Sequence, residues 1–293
     1  MRRVYSEHVP WNVLDRPLIK ALARSRAGID LAVAVFPSQV PRLPALALRC
    51  RDMGVRLVVW PLLEDSHGRW ASTTNAVEYE ELLARIFRDV PASVLLLDLE
   101  PPIAVTRSWL DLRPKKKPTL QGPQKRTFGG LATWARREGW QVEAVVPPVI
   151  AYGAKWESRL GTPVSELGCE RVESMAYTSL FEGYGRGLID RRVARDLLRR
   201  IAGRSNALSL GVVGGGALGD EQAYRSVDEL IDDVGVARAA GVEQLSLYGL
   251  DGILERGPIE PWLNAFTRSE ALERMPQRTR RGALLDGLSR VLG

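Results

Sequence analysis

Cysteine and histidine are scarce in this sequence, and that scarcity excludes several classes of site. The 293 residues include only two cysteines, Cys50 and Cys169, and two histidines, His8 and His67. No CxxC motif is present, so the cysteines indicate neither a disulfide framework nor a structural zinc site. We therefore expect no metal, no cofactor and no cysteine- or histidine-based chemistry.

Long apolar runs are also missing. Met1–His8 is a charged opening with no apolar signal core behind it. No segment approaches the roughly 18 uninterrupted apolar residues that a membrane-spanning helix needs. We expect a soluble, cytoplasmic protein that does not use a membrane.

Positive charge is in moderate excess and is spread along the chain. The formal net charge is +6 and the pI is about 9.5, with local concentrations at Lys115–Lys117 and Arg278–Arg281. This charge favours acidic partners without naming one. No interleaved aromatic residues accompany the lysines, so we expect no nucleic-acid partner. The lysine run is interpreted as a solvated loop or as a lid over an anionic or polymeric ligand, and Arg274–Arg281 as a basic surface or linker.

The pattern of apolar and amphipathic segments predicts the fold. Hydrophobic residues make up 45% of the chain, and strand-like and helix-like segments alternate along it. The predicted strands are Arg3–His8, Asp30–Phe36, Val55–Leu63, Val94–Glu100, Gln141–Val146, Arg171–Thr178, Ala207–Val213 and Gln244–Leu250. The predicted helices are Arg16–Arg26, Leu43–Met53, Ala76–Arg88, Lys125–Glu138, Asp190–Ala202, Glu221–Ala240 and one or two within Pro261–Leu292. Ile103–Pro123 is predicted to be a long basic loop.

Eight largely apolar strands alternating with helices are typical of a parallel sheet covered by helices. We predict the α/β class, with a single (β/α)8 TIM barrel over residues 1–260 followed by C-terminal helices over 261–293. The alternative is an open doubly wound sheet. The glycine-rich turn expected after its first strand is absent.

The fourth predicted strand carries the strongest functional signal. Val94–Leu97 is apolar, Asp98 and Glu100 follow, and Pro101 and Pro102 end the strand. Alternate residues of a strand share a face, so the two carboxylates are predicted to point the same way. Buried acids are costly unless they pair, bind a metal or take part in chemistry. The structural alternative is that both acids form salt bridges or cap the next loop.

Acidic and aromatic residues dominate the other predicted strand ends, which meet at the active-site face of such barrels. Aromatic rings stack on sugar rings, and carboxylates bind hydroxyl groups or cleave glycosidic linkages. We therefore predict a carbohydrate or another small molecule as substrate. Trp60, Trp70 and Trp109 lie in or beside predicted loops at this face. Trp134 and Trp140 are predicted to pack in the core. The predicted substrate-binding residues are Glu7, His8, Trp60, Glu64, Trp70, Tyr248 and Asp251.

The strand-four pair Asp98-x-Glu100, together with Met175-x-Tyr177 on strand six, resembles the family 18 glycoside hydrolases, the chitinase-like barrels. Their strand-four motif is DxxDxDxE and their strand-six motif is MxYD. The resemblance implies that Glu100 is the general acid, and that Asp98 and Tyr177 support the substrate acetamido group that attacks the anomeric carbon. Ser93 and Leu96 stand in place of the earlier aspartates of the first motif, and Thr178 replaces the last Asp of the second.

Three other readings stay open. Gly214–Gly216 could expose backbone N–H groups to the phosphate of a phosphosugar or phosphate ester, or could form a tight turn before a helix capped by Asp220. Glu7, His8, Asp98 and Glu100 could bind a metal for hydrolysis, with His8 otherwise a hydrogen-bonded core residue. The chain could also be a sugar-binding barrel without catalysis. The sequence leaves the sugar, the linkage and the oligomeric state open.

Overall fold

The computed structural model describes residues 1–14, 16–24, 28–72, 74–91, 93–110, 122–219 and 221–292. Side chains are described over the same ranges except at 16, 108–110 and 122–128. The predicted site residues all have described side chains. Lys115–Lys117 and Asp220 lie outside the described residues, and so does the side chain of Trp109.

Eight parallel strands form a closed barrel in the order β1 to β8, which confirms the predicted (β/α)8 fold. The strands are Arg2–Ser6 (β1), Ile29–Val35 (β2), Leu57–Pro61 (β3), Val94–Asp98 (β4), Gln141–Val146 (β5), Arg171–Ala176 (β6), Ala207–Gly211 (β7) and Gln244–Tyr248 (β8). All eight predicted strands are present. Most end earlier than predicted, because the apolar signal continues into buried loop residues such as Leu62, Leu99 and Val212.

Helices connect the strands. They are Arg16–Arg24 (α1), Leu43–Asp52 (α2), Ala76–Asp89 (α3), Ile103–Leu110 (α4), Gly122–Arg137 (α5), Ala154–Leu160 (α6), Val164–Leu167 (α7), Thr178–Tyr184 (α8), Arg191–Ala202 (α9), Val227–Ala239 (α10), Leu250–Glu255 (α11), Ile259–Arg268 (α12) and Arg280–Leu292 (α13). Short 3-10 turns occupy Val40–Arg42, Asp65–His67 and Pro148–Tyr152. No described helix is long and apolar enough to cross a membrane.

The loop predicted over Ile103–Pro123 is wrong in its first part, because α4 begins directly after the two prolines. Val105 N–H donates to the Pro102 carbonyl oxygen at 2.7 Å. Proline is compatible with a helix start, where its missing N–H would have no helical partner in any case. Pro101 and Pro102 therefore end a strand and also precede a helix.

The helix predicted from Glu221 starts at Val227 instead, and the predicted cap, Asp220, lies outside the described residues. Tyr224 explains the delay. Its N–H donates to the Val212 carbonyl oxygen at 2.7 Å and its side chain is fully buried. This holds the chain in an extended loop until Ser226, the residue before the helix.

The chain forms two compact units. The first comprises Met1–Leu31, Met53–Arg56 and Glu173–Leu292, and so contains β1, most of β6, and all of β7 and β8. The second comprises Ala32–Asp52 and Leu57–Val172, and contains β3, β4 and β5. The predicted boundary between residues 260 and 261 falls inside α12; a separate C-terminal segment stays a prediction.

Contacts within the first unit identify the interior face of its strands. Arg3 on β1 forms a 2.6 Å ion pair with Glu173 on β6, although β7 and β8 lie between these strands in the sheet order. Two side chains can meet across two intervening strands only by crossing the barrel interior. Strand register places Tyr5 opposite Tyr248 and Tyr248 opposite Gly211, so these residues share the interior face.

Candidate active site

Tyr248 is the centre of a polar cluster at the carboxyl ends of the first unit's strands. It is the last residue of β8, and its hydroxyl donates a hydrogen bond to Oε2 of Glu7, which directly follows β1. Both side chains are buried, with Glu7 5% exposed and Tyr248 8%. Burial, reinforced by the nearby negative charge of Glu7, raises the pKa of Tyr248 well above its ordinary value. The phenol is therefore a hydrogen-bond donor rather than an anion.

Tyr177 stacks on Tyr248. The two ring centroids are 5.7 Å apart at an interplanar angle of 21°. The Tyr177 hydroxyl lies 3.2 Å from Ser209 Oγ. Gly211 makes this arrangement possible, because a Cβ there would lie 3.4 Å from both Tyr177 and Tyr248 and closer still to the Tyr248 carbonyl oxygen. Tyr177 and Tyr248, both predicted as site residues, thus belong to one cluster.

Asp251 holds the backbone that carries Glu7. Its two carboxylate oxygens accept the N–H groups of Glu7 at 3.2 Å and His8 at 2.9 Å. Burial raises the pKa of Asp251, although these two N–H groups act in the opposite direction. The His8 side chain is 46% exposed and its Nε2 lies 3.8 Å from Glu7 Oε2, so the reading of His8 as a core residue is wrong.

An interior ion pair lies next to this cluster along the strands. Arg3 and Glu173 are fully buried, and Glu173 also accepts a hydrogen bond from the Tyr5 hydroxyl at 3.2 Å. The Tyr5 ring meets the Tyr248 ring edge to face, with centroids 6.2 Å apart. Arg3, Tyr5 and Glu173 were not predicted. The only sequence signal is that Arg3 and Tyr5 lie two residues apart on one predicted strand and that Glu173 is an acid within another.

Asp98 lies in the second unit as the last residue of β4. It is 3% exposed, and its backbone carbonyl accepts the N–H of Ala71 at 2.8 Å. The negative charge of Asp98 contributes to the raised pKa of Tyr79, although burial of that phenol is the larger cause. The Tyr79 hydroxyl donates to the Pro61 carbonyl oxygen. Tyr79 is thus a buried neighbour of Asp98 that the sequence pattern did not indicate.

Glu100 lies two residues beyond the end of β4 and is half-buried. The strand pairing does continue for one residue, because Leu99 N–H donates to the Val145 carbonyl oxygen at 2.9 Å. After β3, the Asn75 side chain holds a loop in place by bonding to the Trp70 carbonyl oxygen at 2.8 Å and the Ser72 N–H at 3.0 Å. Ile103 N–H donates to the Gly68 carbonyl oxygen of that loop, which joins the segments after β3 and β4.

The remaining predicted residues of the second unit have different environments. Trp60 is 3% exposed and Trp70 is 4% exposed, so their rings are almost entirely covered by protein. Glu64 is exposed and lies in the wall of a groove of about 290 Å³. The other residues of that wall include His67, Glu78, Glu81, Leu82 and Arg85.

The glycine run after β7 has a packing role. A Cβ at Gly214 would collide with the backbone of Gly252 in α11, so this pair allows loop and helix to touch. The carboxylate of Glu221 lies against Gly216. A negative charge at that position would repel a phosphate. The geometry therefore disfavours the phosphate-ester reading.

The metal reading also lacks geometric support. Among the residues that the structure describes, no group of three or more His, Cys, Asp and Glu side chains could hold a metal ion. The carboxylate of Asp251 accepts the N–H groups of Glu7 and His8.

Thr178, which replaces the last Asp of the strand-six motif, belongs to a buried network in the first unit. Its hydroxyl donates to Oδ2 of Asp233 and accepts from Arg191 Nη1 at 2.6 Å. Tyr224 also donates to Asp233, at 2.8 Å. Thr178 and Asp233 are 0% exposed. The hydrogen bonds of Thr178 therefore fix the backbone position directly after Tyr177.

Comparison with known proteins extends the description of the fold. No protein-family model matches the chain, and no curated protein matches it. The glycoside hydrolase domain of PgaB (BpsB) from Bordetella bronchiseptica is 12% identical, with a TM-score of 0.54 over 91% of this chain and 99% of that chain. What the two share is the barrel.

Two further solved structures have the same fold. A family 18 chitinase from Pseudoalteromonas aurantia is 10% identical, with a TM-score of 0.50 over 92% of this chain and 99% of that chain. A family 5 glycoside hydrolase from Prevotella bryantii, solved with a xyloglucan tetradecasaccharide, is 12% identical, with a TM-score of 0.50 over 87% of this chain and 86% of that chain. At these identities the likeness concerns the (β/α)8 architecture alone.

Proposed function

We propose that the chain is a glycoside hydrolase-like enzyme that cleaves an O-glycosyl bond of a glycan or glycoside. The observation that carries the proposal is the acid pair at the carboxyl end of β4, where a buried Asp98 is followed by a half-buried Glu100. Active sites of (β/α)8 enzymes lie at this end of the strands. The printed names of the three similar structures, all glycoside hydrolases, agree with this class of reaction.

In this proposal Glu100 donates a proton to the leaving oxygen as the bond to the anomeric carbon breaks. Asp98 and Tyr177 support the substrate group that attacks the anomeric carbon, as the family 18 resemblance implies. A proton donor must be accessible to the substrate, and the greater exposure of Glu100 suits that role better than the burial of Asp98. Glu7, Tyr248 and Asp251 belong to the proposed substrate-binding residues, together with His8, Trp60, Glu64 and Trp70.

The test compares hydrolysis by wild type and Glu100→Gln on a panel of N-acetylated and plain oligosaccharides. We expect kcat to fall by about 10²- to 10⁴-fold, because glutamine keeps the shape of glutamate but cannot donate a proton as a carboxylic acid does. Asp98→Asn should also lower kcat. The matched control is Glu138→Gln, which changes an exposed glutamate just after α5 and should retain wild-type kcat.

A Glu100→Gln variant with wild-type kcat would remove Glu100 from the mechanism. If the wild type cleaves none of the panel, the enzyme proposal fails. Glycan binding that depends on Tyr248 would then favour the sugar-binding barrel.

A further inference from the structure

The last helix, α13, exposes apolar side chains and buries a charged one, which is the reverse of an ordinary surface helix. Its buried residues are Gly282 and Asp286, and the exposed fraction of Asp286 is 4%. Leu284, Leu288 and Val291 are 63%, 47% and 81% exposed. Residues spaced by three and four lie on one helical face, so these three form an apolar stripe that faces solvent. A surface helix normally buries such a stripe.

Charge and hydrogen bonding explain why the helix packs this way. Asp286 pairs with Arg200 and Arg204, at 3.4 Å and 3.3 Å. Thr279, just before α13, donates its N–H at 2.8 Å and its hydroxyl at 3.0 Å to the fully buried Asp196 of α9. The polar face of α13 is therefore occupied by α9, and the apolar face is left outward.

The stripe is a concentration of apolar surface and not a scatter of single residues. Of the eleven large apolar side chains that are exposed among the described residues, four lie on α13, with Leu292 as the fourth. Met275 precedes the helix and is 40% exposed. A contiguous exposed apolar surface of this kind marks an interaction site more often than single exposed leucines do.

Exposed arginines accompany the stripe, and one of them, Arg290, also pairs with Asp286 at 2.9 Å. From residue 274 to residue 292 the sequence contains five arginines and one acid, Asp286, which is buried and paired. All five arginines are exposed, namely Arg274, Arg278, Arg280, Arg281 and Arg290. The surface is thus both apolar and cationic.

Contrary to the expectation drawn from the sequence, we propose that α13 and its preceding arginines form a docking surface for an anionic lipid membrane. The leucines and valine enter the boundary between headgroups and acyl chains, while the arginines contact anionic headgroups. A second copy of the chain fits less well, because a symmetric contact through this face would bring two arginine clusters together. A nucleic acid would use the arginines and leave the leucines exposed.

The test measures sedimentation of the full chain with vesicles of pure phosphatidylcholine and with vesicles containing roughly 30% phosphatidylglycerol. We expect binding only to the anionic vesicles, and weaker binding as salt is raised. Leu284→Gln with Leu288→Gln should weaken binding by about tenfold or more, because both apolar contacts are lost. Arg280→Gln with Arg281→Gln should also weaken it.

The control is Val77→Gln with Leu48→Gln, which changes exposed apolar residues of matching exposure, 63% and 49%, on α3 and α2. This pair should bind vesicles as wild type does, and all variants should keep the wild-type Tm. Equal binding by the leucine variant and wild type would overturn the proposal, and so would absence of binding to anionic vesicles. A wild-type dimer that Leu284→Gln with Leu288→Gln converts to a monomer in light scattering would overturn it in favour of a second copy.

Discussion

At the scale of single residues, the polar cluster of the first unit depends on one tyrosine. Tyr248 donates to Glu7, stacks on Tyr177 and meets the edge of Tyr5. A buried carboxylate is costly unless donors compensate for its lost hydration. Tyr248 is such a donor for Glu7, so its hydroxyl serves stability as well as the site.

Replacing Tyr248 by Phe should lower the free energy of unfolding by about 1–3 kcal/mol, because buried Glu7 then loses a hydrogen-bond donor. Tyr177→Phe, which removes a longer bond to the neutral Ser209 hydroxyl, should cost less, about 0.5–1.5 kcal/mol. Urea denaturation of both variants and wild type measures the difference. Equal stability of Tyr248→Phe and wild type would contradict the donor role.

At the scale of secondary-structure elements, one buried carboxylate joins three helices. Asp233 on α10 accepts from Thr178 at the start of α8 and forms a 2.8 Å ion pair with Arg191 of α9. Burial raises the pKa of Asp233 from 3.8 to about 6, although Arg191, Thr178 and Tyr224 oppose the rise. The connection between these helices therefore depends on pH.

Because the folded-state pKa exceeds the unfolded value, the stabilising contribution of Asp233 is complete below about pH 4 and is lost as pH rises through about 6. We expect the unfolding free energy of wild type to fall relative to that of Asp233→Asn between about pH 4 and pH 7. Denaturant titrations of both proteins across this range provide the measurement. A wild-type to variant difference that stays constant with pH would show that Asp233 does not titrate there.

At the scale of the whole molecule, the barrel interior contains a charged pair where apolar side chains are usual. Arg3 and Glu173 lie on strands that are not neighbours, and both are fully buried. Their desolvation is costly, so the pair stabilises the fold only while both partners are present.

Glu173→Gln should destabilise the protein by about 3–5 kcal/mol, because it leaves the Arg3 guanidinium buried without its carboxylate. Replacing both residues, as Arg3→Met with Glu173→Leu, should recover much of the loss. Asp89→Asn, which breaks an exposed pair with Arg88, serves as the control and should change little. A Glu173→Gln variant that unfolds at the wild-type denaturant midpoint would refute the role of the pair.

The sequence by itself determined the order of the βα units, because apolar strand periodicity and amphipathic helix periodicity are local properties. It also placed Asp98, Tyr177 and Tyr248 close to strand ends, since each lies within two residues of the end of a predicted strand. It did not determine which distant residues meet. Glu7 and Tyr248 are 241 positions apart, and Arg3 and Glu173 are 170 apart, so only barrel closure and strand register bring them together. Local periodicity likewise predicted an amphipathic α13, but the contacts of Arg200, Arg204 and Asp196 decided that Asp286 is buried and that the leucines face solvent.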